Sequence, residues 1–597
     1  MARHRNGIWW TRWPFVTSTV VLLTATTTFL LLRLDGSGET TAGGCPSGSH
    51  PVIMGVDPVA GEWVTDVVSA YNSAHRQLGG VCALIKVSPL TLDQAEAALK
   101  ATPLPSGGTP PDIWLPQSSS TVDLLRGRQA NTSVLPDAAP SIASSPLVLA
   151  APEAAMSAIA TRTGGGAQFT DFLSLTTDSH GWAALGHPEW GMVRLSMADP
   201  TSDMTGIGIL EAVAASAASV PLDKLTDQTF RSGSAQAGLR GLPHALTRVT
   251  GQARELYDVA HGMASGTAVM RSLGIIVSTE QQLHRYNDEG DGVPLVAAYP
   301  FGGNFAADFP VVSINGSWVD GFAHRAARDF VAWTAEPAQS GLLAKWGLRQ
   351  PDGSVGAMAA ASHGLSPATH RPVHGPRGVV SSAFDLWTLL SRPKSILEVY
   401  DTSARTAIRD PRTGLSRLDT VRQAALNALS YFQPKDQVGL WEFSANLDGT
   451  KPYREIAPLA PLSTQRDGRT HLDAVRAGIQ GLTPHAGTGL YDTILAAYLN
   501  AQRLYVPGAV NSVGLVTTSP ETDPNGLTRT QLIDELVKHR DPQRAVRLVL
   551  IGVGPDINVE SLTQIANAVD GVALTADNVS DVSRLFEEGY LAMVRAN

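Results

Sequence analysis

Asp401 and Ser403 stand two residues apart, directly after the strand-like run ILEVY at 396–400. A carboxylate and a hydroxyl at the end of a buried strand are oxygen ligands of the kind that a hard cation such as Mg²⁺ prefers. Arg405 follows two residues later, and its permanently charged guanidinium is a poor neighbour for a metal ion. The stretch therefore indicates either a working cation site or a fold that has kept the shape of one without the metal.

A second group of polar side chains lies where predicted strands give way to helices, in DPVAGE (57–62), PQSSS (116–120) and DPTSDMTG (199–206). Amides at helix N-termini receive anionic groups, so these junctions could line a ligand pocket. The candidate ligand-binding residues are Asp57, Glu62, Ser118, Ser119, Thr201, Ser202, Thr205 and, on a later loop, Tyr299. The alternative at each position is that Ser, Thr or Asp only caps a helix or a turn.

The chain contains none of the motifs that would indicate a common class of enzyme. Gly-x-Ser-x-Gly, His-Glu-x-x-His, a Walker A run and Cys-x-x-Cys are all absent. A net charge of −9 without a block of like charges argues against nucleic acid as the main partner. We therefore expect a binding protein rather than an enzyme, with no certain cofactor and only a doubtful Mg²⁺.

The elements that must position these side chains fall into two regions. At 45–350, short apolar runs alternate with helical patterns, which predicts parallel sheet with covering helices. Residues 351–390 begin with a stretch rich in Gly, Pro, Ala, Ser and His, and we interpret them as an interdomain linker that lets the two regions move separately. At 391–597 the alternation returns, with strands such as SILEVY and VGLWEFS, and predicts a doubly wound α/β domain.

The N-terminal segment has the features of a membrane anchor, because three arginines precede an uncharged run at 15–32. We predict a cytoplasmic basic N-terminus at 1–14, one transmembrane helix at 15–33 and a tether at 34–44. The expected location is the cell membrane, single-pass, with the bulk of the chain extracellular. A cleaved signal peptide is the alternative.

Cys45 and Cys82 are the two cysteines of the chain, and both follow the predicted anchor. Two thiols in an oxidising compartment are expected to pair. Each shortly precedes a predicted strand, and neighbouring parallel strands begin close together, so we predict a disulfide. If Cys45 in the stretch AGGC were lipidated instead, Cys82 would remain single.

The first region resembles the extracellular solute-binding proteins of ABC importers, in their bilobed type. The resemblance rests on PPDIWLPQSSS (110–120), SPLVLAAP (145–152), HPEWGMVRLSMADPTSDMTGIGIL (187–210), YPFGGNFAADFPVV (299–312) and DFVAWTAEPAQSGLLAKWGLR (329–349). It implies a periplasmic-binding-protein-like fold (type 2) at 45–350, in which two lobes close on an unknown small molecule.

The last region resembles the von Willebrand factor A (VWA) domain. The resemblance rests on EVYDTSAR, VGLWEFSA, GTGLYDTILAAY, VGLVTTSPETDPNGL and RLVLIGVGPDINVESLTQIA. It implies a Rossmann-like fold at 391–597 and a protein partner. The two domains in this order resemble a group of actinobacterial surface proteins that fuse a substrate-binding domain to a VWA domain.

In the VWA family a metal-ion-dependent adhesion site is built from Asp-x-Ser-x-Ser, a Thr and a distant Asp. The matching residues are Asp401, Ser403 and Thr488. Arg405 and Thr518 stand where a Ser and an Asp are expected, which implies a degenerate site. Our hypothesis is that Arg405 pairs with Asp401 in place of the metal, and the competing interpretation is that Glu521 or Asp523 completes the coordination.

The function expected from the sequence is that of a membrane-anchored extracytoplasmic binding protein. A bilobed domain that binds or responds to a small ligand is coupled to a VWA domain that binds a protein. The alternatives are a solute receptor of an ABC importer, or an envelope scaffold or adhesion protein whose domains have lost their ligands.

Overall fold

The computed structural model describes residues 45–595 except 46, 101–109, 129–131, 166, 301–304, 356–363, 412, 521–522 and 577–580. The predicted segments 1–14, 15–33 and 34–44 lie outside the described residues. Of the helices that are described, none is long and apolar enough to cross a bilayer. The longest, Arg377–Ser391, has 15 residues and spans about 22 Å, short of a hydrocarbon core of about 30 Å. Our prediction of a single-pass location in the cell membrane is contradicted by this finding.

Residues 45–350, which we call the bilobed domain, contain two sheets. The first lobe has strands in the order β11-β4-β1-β3-β2, with β1 parallel to β3 and β4, and β2 and β11 antiparallel at the edges. The strands are β1 (Ser49–Val56), β2 (Gln77–Leu78), β3 (Val81–Pro89), β4 (Ile113–Leu115) and β11 (Val312–Ser313). The helices are α1 (Gly61–Ser73), α2 (Leu92–Lys100), α3 (Ser119–Arg128), α12 (Gly321–Thr334) and α13 (Ser340–Lys345). Side chains of β4 alternate between two apolar clusters, Ile113 and Leu115 in one and Trp114 in the other, so helices cover both faces.

The second lobe has strands in the order β10-β5-β8-β6-β7, with β9 also paired to β5. The strands are β5 (Ser145–Ala151), β6 (Leu195–Ala198), β7 (Leu246–Thr250), β8 (Ile275–Thr279), β9 (Val296–Ala298) and β10 (Ala306–Ala307). The helices are α4 (Glu153–Thr163), α5 (Phe169–Thr177), α6 (Met204–Ala217), α7 (Asp227–Phe230), α8 (Gly233–Ala245), α9 (Ala253–His261), α10 (Gly266–Ser272) and α11 (Glu280–Glu289). Two isolated antiparallel β-bridges lie next to the point where the chain enters β5 of the second lobe. They pair Ser141 with Pro310 and Ser144 with Arg349.

The disulfide between Cys45 and Cys82 is present, as predicted. Ser49 lies beside Cys82 in the parallel register of β1 and β3, so the bond joins the segment that enters β1 to the start of β3. A loop of this length is stabilised by on the order of 3–4 kcal/mol when it is closed by a disulfide.

The C-terminal domain, 391–597, is built on a six-stranded sheet with the order β14-β13-β12-β17-β18-β19. All neighbours are parallel except β13 and β14, and when only the strands of this sheet are numbered the order is 3-2-1-4-5-6, as in doubly wound sheets. The strands are β12 (Lys394–Asp401), β13 (Gln437–Asp448), β14 (Lys451–Pro461), β17 (Val510–Thr517), β18 (Arg547–Val553) and β19 (Val572–Ala576), with a small hairpin of β15 (Gln465–Arg466) and β16 (Arg469–Thr470). The helices are α15 (Arg417–Ala428), α16 (His471–Gly481), α17 (Leu490–Arg503), α18 (Arg529–His539), α19 (Val559–Asn567) and α20 (Val582–Arg595). The mixed α/β class predicted for both regions is confirmed.

The segment that we interpreted as a linker, 351–390, contains a helix, α14 (Arg377–Ser391). Its apolar residues belong to one cluster that also includes Leu239 of the bilobed domain and Tyr400 of the C-terminal domain. Val379, Trp387 and Leu390 are at most 2% exposed. An interface of this kind does not leave the two domains free to move separately, because apolar side chains from both would enter water.

Candidate functional site

Three predicted ligand stretches meet where β1, β4 and β6 end, between the two lobes. Asp57 follows β1 and is 8% exposed, and one of its carboxylate oxygens accepts a hydrogen bond from the amide of Val59 at 2.9 Å. Burial raises the pKa of Asp57 to about 7, and the charge of Asp203 adds to the effect. Two carboxyls from different lobes thus lie close enough to influence each other.

Asp203, which the sequence analysis missed, connects the lobes. Its carboxylate accepts hydrogen bonds from the amide and hydroxyl of Thr205 at 3.0 and 2.8 Å, and from the amide of Ala253 at 3.1 Å. It also accepts from the side chain of Gln117 at 2.9 Å, while the Gln117 carbonyl oxygen accepts from the amide of Met204 at 2.7 Å. The N-termini of α6 and α9 are therefore satisfied by a carboxylate of the chain itself.

The N-terminus of α3 is satisfied in the same way by Asp308. This carboxylate accepts from the amide and hydroxyl of Ser119 at 2.7 and 2.6 Å, and from the hydroxyl of Ser141 at 2.8 Å. The helix ends that we expected to receive the anionic part of a ligand already hold internal anions. Asp203 stands inside DPTSDMTG, one of the predicted ligand stretches, so the sequence offered a signal for it. Asp308 stands in YPFGGNFAADFPVV, far from Ser119 in the chain, and the sequence does not indicate that the two residues are bonded.

The other candidate residues are mostly engaged in turns and caps. Ser118 is fully buried and accepts from the amide of Ser120 at 3.2 Å, and Thr201 donates to Asp199 at 2.7 Å. Ser202 donates to the carbonyl of Gly251 at 2.6 Å. Glu62 is exposed and pairs with Arg285 of the other lobe. The assignment of these residues to a ligand remains a prediction.

Tyr299 lies beside residues 364–376, which we call the connector. Its hydroxyl donates to Glu280 and accepts from the amide of Ser366 at 3.0 Å, and its ring stacks on His370 at 4.2 Å. Burial lowers the pKa of His370, with Arg349 as a second cause, which favours the neutral ring. Tyr299, which we predicted to bind a ligand, is thus covered by the chain itself.

Arg349 holds the connector from the other side. It forms a buried ion pair with Glu280, both side chains being 2% exposed. Its remaining donors reach the carbonyl oxygens of Ser366 at 2.7 Å and Ala368 at 2.6 Å. A buried guanidinium bonded to two connector carbonyls fixes the backbone of this segment, because releasing it would leave charged donors unpaired.

The rest of the connector follows the junction of the lobes toward α14. Val373 bridges to Phe305, and His374 lies 3.6 Å from Asp308. The amide of Gly375 donates to Glu211 at 3.0 Å. Burial raises the pKa of Glu211 to about 8, and its second oxygen has no partner among the described residues. The protonated, neutral carboxyl is therefore favoured at this contact near neutral pH.

Helix α14 continues the same path onto both domains. The indole of Trp387 donates to Asp199 at 3.1 Å, and Arg377 pairs with Asp123 at 2.9 Å. Arg128 lies 4.1 Å above the ring of Phe384. The residues after β6 in the bilobed domain are thus joined to the C-terminal domain by one helix.

The second candidate site lies at the carboxyl end of β12. Asp401 is 3% exposed, and one oxygen accepts from the amide of Ser403 at 2.7 Å. The other accepts from the amide of Thr518 at 2.7 Å and from the hydroxyls of Thr518 and Thr517 at 3.2 and 3.3 Å. The hydroxyl of Ser403 is 2.7 Å from that of Ser519. Both carboxylate oxygens are therefore satisfied by the protein.

Arg405 does not pair with Asp401, and our hypothesis about it is corrected. Its guanidinium is about half exposed and pairs with Asp556 instead, where it stays hydrated. A buried cation beside this network, Arg417, was missed in the sequence; it is 8% exposed and donates to the carbonyl of Thr518 at 3.1 Å. It lies at the start of α15, where no part of the expected motif points to it.

These residues do not fit the Mg²⁺ that the VWA resemblance implies. Thr488 is buried in the loop before α17, but Thr518 replaces an acidic ligand and the Asp401 oxygens are already bonded. Asp523 accepts from the amide of Asn525, and Glu521 lies outside the described residues. Within the described chain no cluster of three or more His, Cys, Asp or Glu side chains could hold a metal.

Residues 61–349 match the sequence model of a family described as bacterial extracellular solute-binding protein. Two proteins of Mycobacterium tuberculosis, from strains CDC 1551 / Oshkosh and ATCC 25618 / H37Rv, are each 26% identical over 533 residues, which cover 88% of this chain and 74% of the relative. Both are named as uncharacterized proteins. The similarity extends across both domains.

Two solved structures are similar to parts of this chain. A periplasmic thiamin binding protein is 12% identical with a TM-score of 0.37, over 57% of this chain and 94% of that chain. A von Willebrand factor type A structure from Catenulispora acidiphila is 16% identical with a TM-score of 0.27, over 34% of this chain and 43% of that chain. Neither likeness says what this chain binds.

Proposed function

We propose that this chain is an extracytoplasmic binding protein whose bilobed domain responds to a small molecule and whose C-terminal domain binds a protein partner. The observation that carries the proposal is the path of the connector. It covers Tyr299, a predicted ligand residue, and runs directly into α14, which packs on both domains. A ligand that contacts Tyr299 must move the connector, and the movement reaches the C-terminal domain through α14.

The contacts favour a neutral or cationic ligand over a simple oxyanion. Asp203 and Asp308 already bond the helix N-termini that would receive an anion. Asp57 adds a third buried carboxyl between the lobes. A further anion would have to displace these groups or bear their repulsion.

An extracytoplasmic location is supported by the disulfide and by the family match. Cys45 and Cys82 are bonded, and structural disulfides persist in oxidising compartments. Residues 61–349 match a family of extracellular proteins. Binding of the protein partner is proposed to be independent of metal, because the Asp401 carboxylate is satisfied without one.

A solute receptor that works with an ABC permease is a second candidate, favoured by the same family match. It differs in one respect that can be measured. A receptor needs a cleft that opens for its solute, so the connector would not compete with binding. In our proposal the connector and the ligand exclude each other, and weakening the connector raises the apparent affinity.

Thermal-shift titrations with glucose, choline, L-arginine, sulfate and molybdate test the proposal on the wild type and on His370→Ala. We expect a neutral or cationic probe to raise the melting temperature, with a lower apparent Kd for His370→Ala because a stacking contact of the connector is lost. His180→Ala, at an exposed position of the same domain, is the control. Equal affinity in all three proteins would favour the receptor, and no shift in any would favour an envelope scaffold.

A further inference from the structure

A cavity of about 860 Å³ lies between the two domains, away from the connector and Tyr299. Its walls come from α7 and α8 of the bilobed domain and from α14, α15 and α20. Apolar wall residues include Phe230, Leu386, Leu389, Ala428, Phe586 and Leu591. The volume falls in the range of small-molecule sites, which occur preferentially where domains meet.

Arg240 contributes a guanidinium to the wall of the cavity. Its guanidinium donates to the hydroxyl of Tyr431 at 3.0 Å and lies 4.5 Å from the centre of that ring. Its Nε is buried without a hydrogen-bond partner, and no carboxylate in the described part of the chain pairs with it. An aromatic hydroxyl does not neutralise a guanidinium, so Arg240 can still bond an anionic group.

Three of the four acidic side chains of the same wall pair with other arginines. Arg231 pairs with Asp227 at 2.9 Å and with Glu587 at 3.3 Å. Glu588 pairs with Arg584 at 2.7 Å. Asp385 also lines the cavity. The lining carries four carboxylates and three guanidiniums, and Arg240 is the guanidinium that lies outside these pairs, so an incoming anion would bond it without first breaking an ion pair.

Gln236 supplies a second polar group one helical turn before Arg240. The side chain is 8% exposed, and its amide nitrogen donates to the carbonyl of Phe230 at 3.0 Å. Its carbonyl oxygen is buried, and no described residue donates to it. The unsatisfied acceptor and the guanidinium lie on one face of α8, so a ligand that carries both an anionic group and a donor would match them.

We propose that this cavity binds an amphipathic organic anion that carries an N–H or O–H group. The anionic group bonds Arg240, the donor reaches the Gln236 carbonyl oxygen, and the apolar body packs on Leu386, Leu389 and Phe586. Because both domains contribute walls, the bound anion stabilises their contact. The site is independent of the ligand proposed for the bilobed domain, so either proposal can fail without the other.

The fluorescent anion 8-anilinonaphthalene-1-sulfonate is a suitable probe, because it combines a sulfonate, an N–H donor and aromatic rings. We expect saturable binding at one site on the folded protein, weakened at least tenfold in Arg240→Met and also weakened in Gln236→Leu. Arg466→Met removes the same charge at a side chain that is 88% exposed and should leave the affinity unchanged. Binding that does not saturate, or that is equal in all four proteins, overturns the proposal.

A second variant guards against loss of folding in Arg240→Met. Asn427 lines the cavity from α15 and is exposed, so Asn427→Trp adds a bulky ring to the cavity at an exposed position. We expect an unchanged circular dichroism spectrum and loss of probe binding. Wild-type affinity in a folded Asn427→Trp protein would place the probe elsewhere and contradict the proposal.

Discussion

At the scale of single residues, the end of β12 shows how a metal-site pattern can persist without a metal-site environment. Asp401 accepts hydrogen bonds from two backbone amides and two threonine hydroxyls. Hydrogen bonds to a charged group each contribute on the order of 1.5–3 kcal/mol, so a metal would have to replace several. The buried guanidinium of Arg417 on the Thr518 carbonyl adds a positive charge nearby.

A prediction about magnesium follows from these contacts. We expect calorimetric titration of the wild type with Mg²⁺ or Mn²⁺ to show no binding in the micromolar range. Arg405→Ser should not create binding, because Arg405 contacts Asp556 rather than Asp401. Micromolar binding by the wild type that Asp401→Ala abolishes would show that the Asp401 network opens for a metal.

The candidate residues could be found from the sequence, but their neighbours could not. Asp401, Ser403 and Asp57 were found because strand ends in α/β folds carry ligands. Asp203 and Asp308 were missed as cleft residues because a carboxylate in a loop does not reveal which helix end it bonds. The guanidinium of Arg405 points toward Asp556, which lies 151 residues later in the chain and could not be identified as its partner from the sequence.

At the scale of elements, α14 is the part of the fold that the sequence analysis missed. Val379, Ala383, Leu386 and Leu390 recur at helical spacing, and Pro376 precedes the first turn, which is a sequence signal for a helix start. The Gly- and Pro-rich stretch before it was extended into a linker. The strands of the three main sheets were recognised more readily, because strands such as β12 and β5 are buried along their whole length and contain apolar runs.

Helix α20 is joined to β12 by a buried carboxyl. Glu398 accepts from the hydroxyls of Tyr590 at 2.5 Å and Tyr400 at 3.2 Å, and burial raises its pKa from 4.5 to about 7. The native state therefore holds a proton that the unfolded chain has released, between about pH 4.5 and 7. Across this window the wild type loses stability as the pH rises.

Glu398→Gln removes this titration while keeping an acceptor for Tyr590. We expect the variant to gain stability relative to the wild type as the pH rises from 5 to 8, by at most on the order of 3 kcal/mol. Denaturant unfolding at several pH values measures the difference. Glu560→Gln, at an exposed position of α19, should show no such dependence. A difference for Glu398→Gln that does not grow with pH would contradict the assignment.

At the scale of the whole molecule, the two domains are held together rather than joined by a free tether. One apolar cluster includes residues of both domains and of α14, and Trp387 bonds Asp199, 188 positions earlier in the chain. The amino-acid composition of residues 351–390 does not indicate contacts between residues that lie so far apart in the chain. The sequence therefore predicted the two folds but not the way in which they meet.

Gly375 offers a way to release the connector by a single methyl group. A Cβ at this position would lie 2.7 Å from a carboxyl oxygen of the buried Glu211, so Gly375→Ala should displace the segment. At Gly378, three residues later, an added Cβ would meet only an ordinary contact at 3.7 Å from Asp227. Gly378→Ala is therefore the matched control.

Hydrogen–deuterium exchange of peptides covering 364–376 tests the central claim most directly. The amides of Ser366 and Gly375 donate to Tyr299 and Glu211, so we predict that in the wild type and in Gly378→Ala they exchange as slowly as amides of α6. In Gly375→Ala we predict faster exchange across the connector. If the wild-type connector exchanges at the rate of an unstructured peptide, it is a free linker after all and the proposed coupling between the domains is wrong.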